Sequence, residues 1–274
     1  LNTEFIDLYQ IHWPNPSISL KHTIKALKKL YADGKIRAIG ICNYSLTEIK
    51  LISKYLDEIP LCSVQMEYNL LERTIEENGI LSYCKANKTT LLAYSPLDQG
   101  QMNAISPVQK SKLIEIANRH NKSIHQIILN FIIHQNQVVA ITRTTSIIHL
   151  KENIESMSFK LSENDIEIIK NIFPIKYENI AVNKIKISLN GEWNHKVYTN
   201  IKQAIKNNLG FTPSPIDLSV TVKKDGILKP VRLKKIAVPD NGFEYELVAG
   251  RIRYWAWVIA HRDNCPPIPS YIRK

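Results

Sequence analysis

Side chains able to do chemistry recur at the ends of short apolar runs. His12 follows Phe5–Ile11 and precedes Trp13-Pro14, Asn43 follows Ile36–Cys42, and Gln65 lies within Ser63–Tyr68. Tyr94 and Ser95 close the run that starts at Thr90, and Arg143 and Thr144 follow Val138–Thr142. A neutral imidazole can donate to a carbonyl oxygen, and a carboxamide side chain both donates and accepts. An aromatic ring offers a stacking face, and a guanidinium forks onto phosphate oxygens. A second group, Gly250-Arg251-Ile252-Arg253, opens an apolar stretch that contains Trp255 and Trp257. Backbone N–H groups and arginines at a helix start can hold phosphate. Each group also has a plain alternative. His12 alone reads as a satisfied histidine beside a proline turn, residues 250–253 as a solvated helix start, and one of Trp255 and Trp257, the candidate stacking platforms, as core.

The elements that must position these groups alternate. Apolar runs at 5–11, 36–42, 63–68, 90–95 and 138–142 read as strands. Leu20, Ile24, Leu27 and Leu30 recur at helical spacing, with Ser19 as N-cap and Gly34 as the stop. Helices are expected near 46–55, 75–87, 107–120, 123–135, 147–156 and 162–172, with Ser123 and Gln126 as a capping box. Apolar strands separated by amphipathic helices imply an α/β fold with a parallel sheet covered by helices. Chemistry at the C-terminal strand ends favours a TIM-type (β/α)8 barrel over a doubly wound sheet. No G-x-G-x-x-G follows a strand, which argues against a Rossmann site. Five strands fall short of the eight that close such a barrel, so the expectation is a partial barrel.

Beyond Phe173–Tyr177 the pattern changes. A strand at 180–187, a helix at 195–208, a helix at 217–224, strands at 227–236 and 243–249 around Pro239-Asp240-Asn241-Gly242, a helix from Gly250 to about Arg262 and a last strand at 268–272 describe a small α+β domain. The charge changes with it. Of the net +11, residues 1–174 carry 19 basic against 17 acidic residues, and residues 175–274 carry 17 against 8. Two modules, 1–173 and 178–274, with different partners are expected. No run of apolar residues is long enough to span a membrane. Cys42, Cys62, Cys84 and Cys265 form no C-x-x-C pair and meet no histidines at zinc spacing, so neither a disulfide framework nor a metal centre is expected and the cytosol is the expected compartment.

Four segments, Phe5–Pro14, Asp33–Ser45, Gln65–Arg73 and Ala93–Leu97, stand in the order and spacing of aldo-keto reductases, and residues 1 to about 173 resemble that family. The resemblance implies an oxidoreductase that moves a hydride from NADPH to a small aldehyde or ketone inside a (β/α)8 barrel. It implies that His12 is the active-site histidine, that Asn43 and Gln65 hold the nicotinamide carboxamide, and that Tyr94 stacks on the nicotinamide ring, with Ser95 and Leu97 in the adjoining cofactor loop. Arg143, Thr144, His149, Glu152 and Asn153 match the positions for the 2′-phosphate and adenine, which favours NADPH, with NADH as the alternative. Cys42 stands where the family has Ser, and Thr142 where it has Pro. The family's Asp, Tyr and Lys, which supply the proton, belong to its first three strands and match no residue of this sequence. The chain by itself is therefore expected to be inactive, and a piece of a longer product.

Residues 226–231, 245–256 and 267–272 resemble a ParB/sulfiredoxin-like domain. That resemblance implies phosphate, nucleotide or DNA binding at Gly250, Arg251 and Arg253. The sequence departs from the partitioning proteins at Arg251 and Ile252, and Cys265 does not match the sulfiredoxin cysteine. Three readings follow: an NADPH-dependent reductase carrying a phosphate-binding module, a nucleotide- or DNA-binding regulator with a non-catalytic barrel remnant, or a non-functional remnant with open barrel edges.

Overall fold

The computed structural model describes residues 2–15, 17–100, 105–187 and 197–273. It divides into two compact units, one of Leu1–His12 with Ile24–Ile175, the other of Trp13–Thr23 with Lys176–Lys274.

In the first unit the expected alternation is present. Strands β1 (Ile6–Ile11), β2 (Ile36–Cys42), β3 (Leu61–Glu67), β4 (Thr90–Tyr94) and β5 (Val138–Ala140) form one sheet in that order. All four neighbouring pairs are parallel. Helices α1 (Leu20–Ala32, which belongs to this unit from Ile24 onward), α2 (Leu46–Leu56), α3 (Thr74–Glu77), α4 (Ile80–Ala86), α5 (Pro107–His120), α6 (Ile124–Ile133), α7 (Ile147–Glu155) and α8 (Glu163–Ile172) connect and follow the strands. Ile39, Ile41, Val64, Leu91 and Ala93 are fully buried, as expected of strands that meet apolar side chains on both faces.

Local chemistry sets the helix starts. Ser45, Ser106, Ser123 and Ser162 each accept from the backbone three residues on, and Glu48, Gln109, Gln126 and Asp165 return the bond to the cap. The single helix expected over 75–87 is instead two. Gly79 has φ +84°, a left-handed step that ends α3 and starts α4 in a new direction.

The second unit holds β6 (Glu178–Ile180), β7 (Ile185–Lys186), α9 (Ile201–Lys206), α10 (Pro215–Asp225), β8 (Val231–Asp240), β9 (Phe243–Ala249), α11 (Arg251–His261) and β10 (Ile268–Arg273). Its sheet runs β6-β10-β8-β9-β7 and mixes parallel with antiparallel pairs, an α+β arrangement. The strand expected over 180–187 is interrupted by a 3-10 turn at Val182–Lys184, which sends its two halves to opposite edges of the sheet. The helix expected from residue 195 starts at Ile201, and its first two expected residues lie outside the described set. No helix among the described residues is long and apolar enough to cross a membrane.

Candidate active site

The site residues expected between 12 and 94 converge because the parallel register aligns the strand ends. Ile11 pairs with Ile41, Cys42 with Gln65, and Glu67 with Tyr94. Just past β2 the chain turns left-handed at Asn43 (φ +63°), and just past β4 it does so at Ser95 (φ +50°). Asparagine tolerates this region better than most residues, whereas serine there is uncommon, and such conformations gather where function over-determines the backbone.

Asn43 is buried and joins three strand ends. Its backbone N–H donates to the Gln65 carbonyl at 3.1 Å. Its amide nitrogen donates to the His12 carbonyl oxygen at 3.3 Å and to the Cys42 Sγ at 3.0 Å. Its Oδ1 accepts from the Tyr94 hydroxyl at 2.9 Å. A line of hydrogen bonds thus runs from the end of β4 through β2 to the end of β1. Gln65 and Tyr94 are half-buried and His12 is exposed, so this cluster lies between core and solvent. Beneath it the Gln10 amide donates to the Ser63 hydroxyl at 3.2 Å, across Gly40.

Asn69 and Glu72 support the β4 end, and the sequence motif contained them without disclosing what they do. Asn69 is buried, donates to the Ser95 carbonyl at 3.1 Å, and accepts from the backbone N–H of Leu71 and of Glu72, both at 2.9 Å. That arrangement holds the left-handed turn at Ser95. Leu97 lies half-buried in the same segment, and its carbonyl accepts from the Gly100 N–H at 2.9 Å. The clue available in the sequence was an asparagine directly after a strand, a residue type that bonds nearby backbone.

Another cluster forms around α7. Arg143 and His149 are exposed, and Thr144, Glu152 and Asn153 are half-buried. The Thr144 hydroxyl accepts from the Ser146 N–H at 3.0 Å, and Ser146 caps α7 by accepting from the His149 N–H at 3.4 Å. The Glu152 carbonyl accepts from the Gln126 amide at 3.2 Å, and the Asn153 carbonyl from the Ser156 hydroxyl at 2.6 Å. Helix α7 has no buried residue, and the exposed Arg143 stands shortly before it. Among the described residues no group of three His, Cys, Asp or Glu side chains could hold a metal.

In the second unit Gly250 is left-handed (φ +91°) and caps α11. Arg253 turns back over it and donates to the Lys229 and Pro230 carbonyls at 2.8 and 3.0 Å. Arg251 has a buried Nε with no hydrogen-bond partner among the described residues. Trp255 and Trp257 are not stacking platforms. Both are buried, and their indole N–H groups donate to the Tyr198 and Pro266 carbonyls at 3.1 and 2.9 Å. Two residues apart on α11 the rings point to different sides of the helix, and both sides are covered.

A parallel α/β sheet with amide, imidazole and aromatic groups at one set of strand ends defines the class: an α/β protein with its polar chemistry above the sheet. The model of the aldo/keto reductase family matches residues 1–173, and the chain belongs to that family. It is 36% identical over 169 residues to the glyoxal reductase of Bacillus subtilis (strain 168), covering 62% of this chain and 57% of that one. It is 29% identical over 185 residues to a methylglyoxal reductase of Escherichia coli (strain K12), covering 68% and 64%. Among solved structures, an aldo/keto reductase from Klebsiella pneumoniae in complex with NADP and acetate superposes with a TM-score of 0.55 at 28% identity, covering 63% of this chain and 60% of the other. The chain therefore spans about three fifths of the length of these relatives.

Proposed function

We propose that the first unit binds NADP(H) over the strand ends of an aldo-keto reductase site, and that the protein it serves reduces a small aldehyde or ketone. The five parallel strands are read as the last five of an eight-stranded barrel. The observation that supports the reading is the hydrogen-bonded line from the Tyr94 hydroxyl through the Asn43 amide to the His12 backbone carbonyl, which ties three neighbouring strand ends together. The cofactor supplies the hydride when bound. Asn43 and Gln65 hold its carboxamide, Tyr94 offers a ring face, and Ser95 and Leu97 shape the adjoining loop. Arg143 and Thr144 hold the 2′-phosphate, with His149, Glu152 and Asn153 around the adenosine. Arg143 at the start of α7 favours the phosphorylated dinucleotide, because guanidinium and helix N–H groups both attract phosphate. His12 donates to the substrate oxygen and sets its orientation. The relatives' names point to glyoxal and methylglyoxal as substrates to try first.

No residue matches the family's Asp, Tyr and Lys, so proton delivery to the nascent alkoxide has no assigned donor. We expect binding without turnover by this chain alone. Calorimetric titration with NADPH and NADH tests the first half, and loss of NADPH absorbance with methylglyoxal tests the second. Absence of heat at millimolar NADPH would remove the reading; turnover would remove only the inactivity.

A second reading concerns residues 178–274, taken as a ParB-like domain binding nucleotide or DNA through Gly250, Arg251 and Arg253. The unpartnered Arg251 Nε at the start of α11 supports it. The engagement of Arg253 with two carbonyls weighs against that side chain's share in it. Binding to duplex DNA that weakens steeply with salt is the expected result, and a flat salt response would count against it.

A further inference from the structure

Asn69 reaches from the loop after β3 to the loop after β4, and the bond it makes there fixes more than its own segment. We infer that Asn69 is a positioning residue for the dinucleotide: its amide presets the left-handed turn at Ser95, and through that turn the 95–100 segment, before a ligand arrives. The inference rests on the cofactor reading above and adds a residue that serves the site without touching what it binds.

Beyond the paired residues Glu67 and Tyr94, the Tyr68 N–H still donates to the Tyr94 carbonyl at 3.3 Å. One residue further the main chain leaves the ladder, because the Asn69 N–H donates to the Glu72 carbonyl at 3.1 Å instead. The Asn69 side chain reaches across in its place and donates to the Ser95 carbonyl at 3.1 Å. That carbonyl also accepts from the Asp98 N–H at 2.9 Å, so both of its lone pairs are used. The two bonds differ in what they fix. The bond from Asp98 is local and forms with the turn, whereas the bond from Asn69 comes from 26 residues away and sets where the turn lies beside β3. The amide cannot turn round. Its oxygen accepts from the backbone N–H of Leu71 and of Glu72, groups that only donate, and the Ser95 carbonyl only accepts. Asn69 is 1% exposed, too little for a ligand to reach it. Ser95 has φ +50°, a conformation that a side chain resists and that its surroundings must hold.

The test measures, by calorimetry, the affinity of the whole chain for NADP+ and for adenosine 2′,5′-bisphosphate. The bisphosphate carries the end assigned to Arg143 and α7 and lacks the nicotinamide half. Asn69→Ser keeps a hydroxyl for the nearby N–H groups but is too short to reach the Ser95 carbonyl. Asn69→Asp keeps the acceptors and loses the donor, and it stands in should circular dichroism show the serine variant unfolded. Either variant weakens NADP+ by about fivefold, the worth of one neutral hydrogen bond, and leaves the bisphosphate unchanged. Glycine adopts a left-handed turn without help. In a Ser95→Gly background the same Asn69 substitution therefore brings no further loss of NADP+ affinity. Unchanged NADP+ affinity in the Asn69 variants overturns the inference, and so does equal weakening of both ligands. A loss that persists undiminished beside Ser95→Gly overturns it too, since Asn69 would then act elsewhere than through the turn. A wild-type chain that binds no NADP+ overturns the cofactor reading and this inference together, whereas the other three outcomes overturn this inference alone.

Discussion

Gly40 shows how narrow the tolerances are at single residues. A Cβ built on it would lie 2.3 Å from the Ser63 hydroxyl oxygen and 2.7 Å from the Gln10 Cγ, so the hydrogen bond between Gln10 and Ser63 exists only because β2 offers no side chain there. Gly40→Ala is expected to destabilise the chain by about 1–3 kcal/mol through overpacking. It is also expected to weaken NADPH binding, since Cys42 and Asn43 follow two and three residues later. Urea unfolding followed by circular dichroism, together with a calorimetric titration, checks both. Equal stability would show that the strand pair can spread without cost.

At the scale of elements, the outer helices are tied by a few buried polar side chains rather than by apolar contact alone. Asn130 on α6 donates to the Ser156 and Phe159 carbonyls at 2.8 and 2.7 Å and accepts from the Leu161 N–H at 3.3 Å, which fastens the connection between α7 and α8. Asn130→Ala leaves those groups unpaired in a buried place and should cost about 2–4 kcal/mol, read as a lower urea midpoint. Asp165 at the start of α8 does the same for α5. Its carboxylate accepts from Arg119, from His120 at 2.9 Å and from the Ser162 hydroxyl at 2.8 Å. Burial alone would raise its pKa, but the bonds from His120, Arg119 and Ser162 outweigh burial and hold it well below the usual carboxylate range. A carboxyl depressed in the folded state contributes stability that is complete above its unfolded pKa, near pH 4. That contribution is lost as pH falls further. Asp165→Asn should therefore melt lower than wild type at neutral pH, with the gap closing as the pH is taken down toward about 2. A gap that stays constant with pH would show that the carboxylate charge plays no part.

The whole molecule pairs a nearly neutral unit with a strongly basic one, and ligand response should separate them. NADPH is expected to slow amide hydrogen exchange at 40–45, 64–68, 93–97 and the first turn of α7, and to leave 231–249 unchanged. Binding stabilises only the states that hold the ligand. Protection spread evenly over both units would contradict a site confined to the strand ends of the first.

Much of this was legible in the linear pattern. Strand–helix alternation, the Ser–Gln cap of α6, the polar residues at strand ends and the charge step after residue 174 all follow from local periodicity and composition, which act over a few residues and survive in a sequence read alone. The structure decided what depends on distant partners. Whether Trp255 and Trp257 face solvent or core, whether Arg253 is free for a ligand, and which three groups surround the Asn43 amide are set by chain segments tens of residues away. A side chain's donors and acceptors are plain from its type. Which of them remain for a ligand is known only after the fold has used the others.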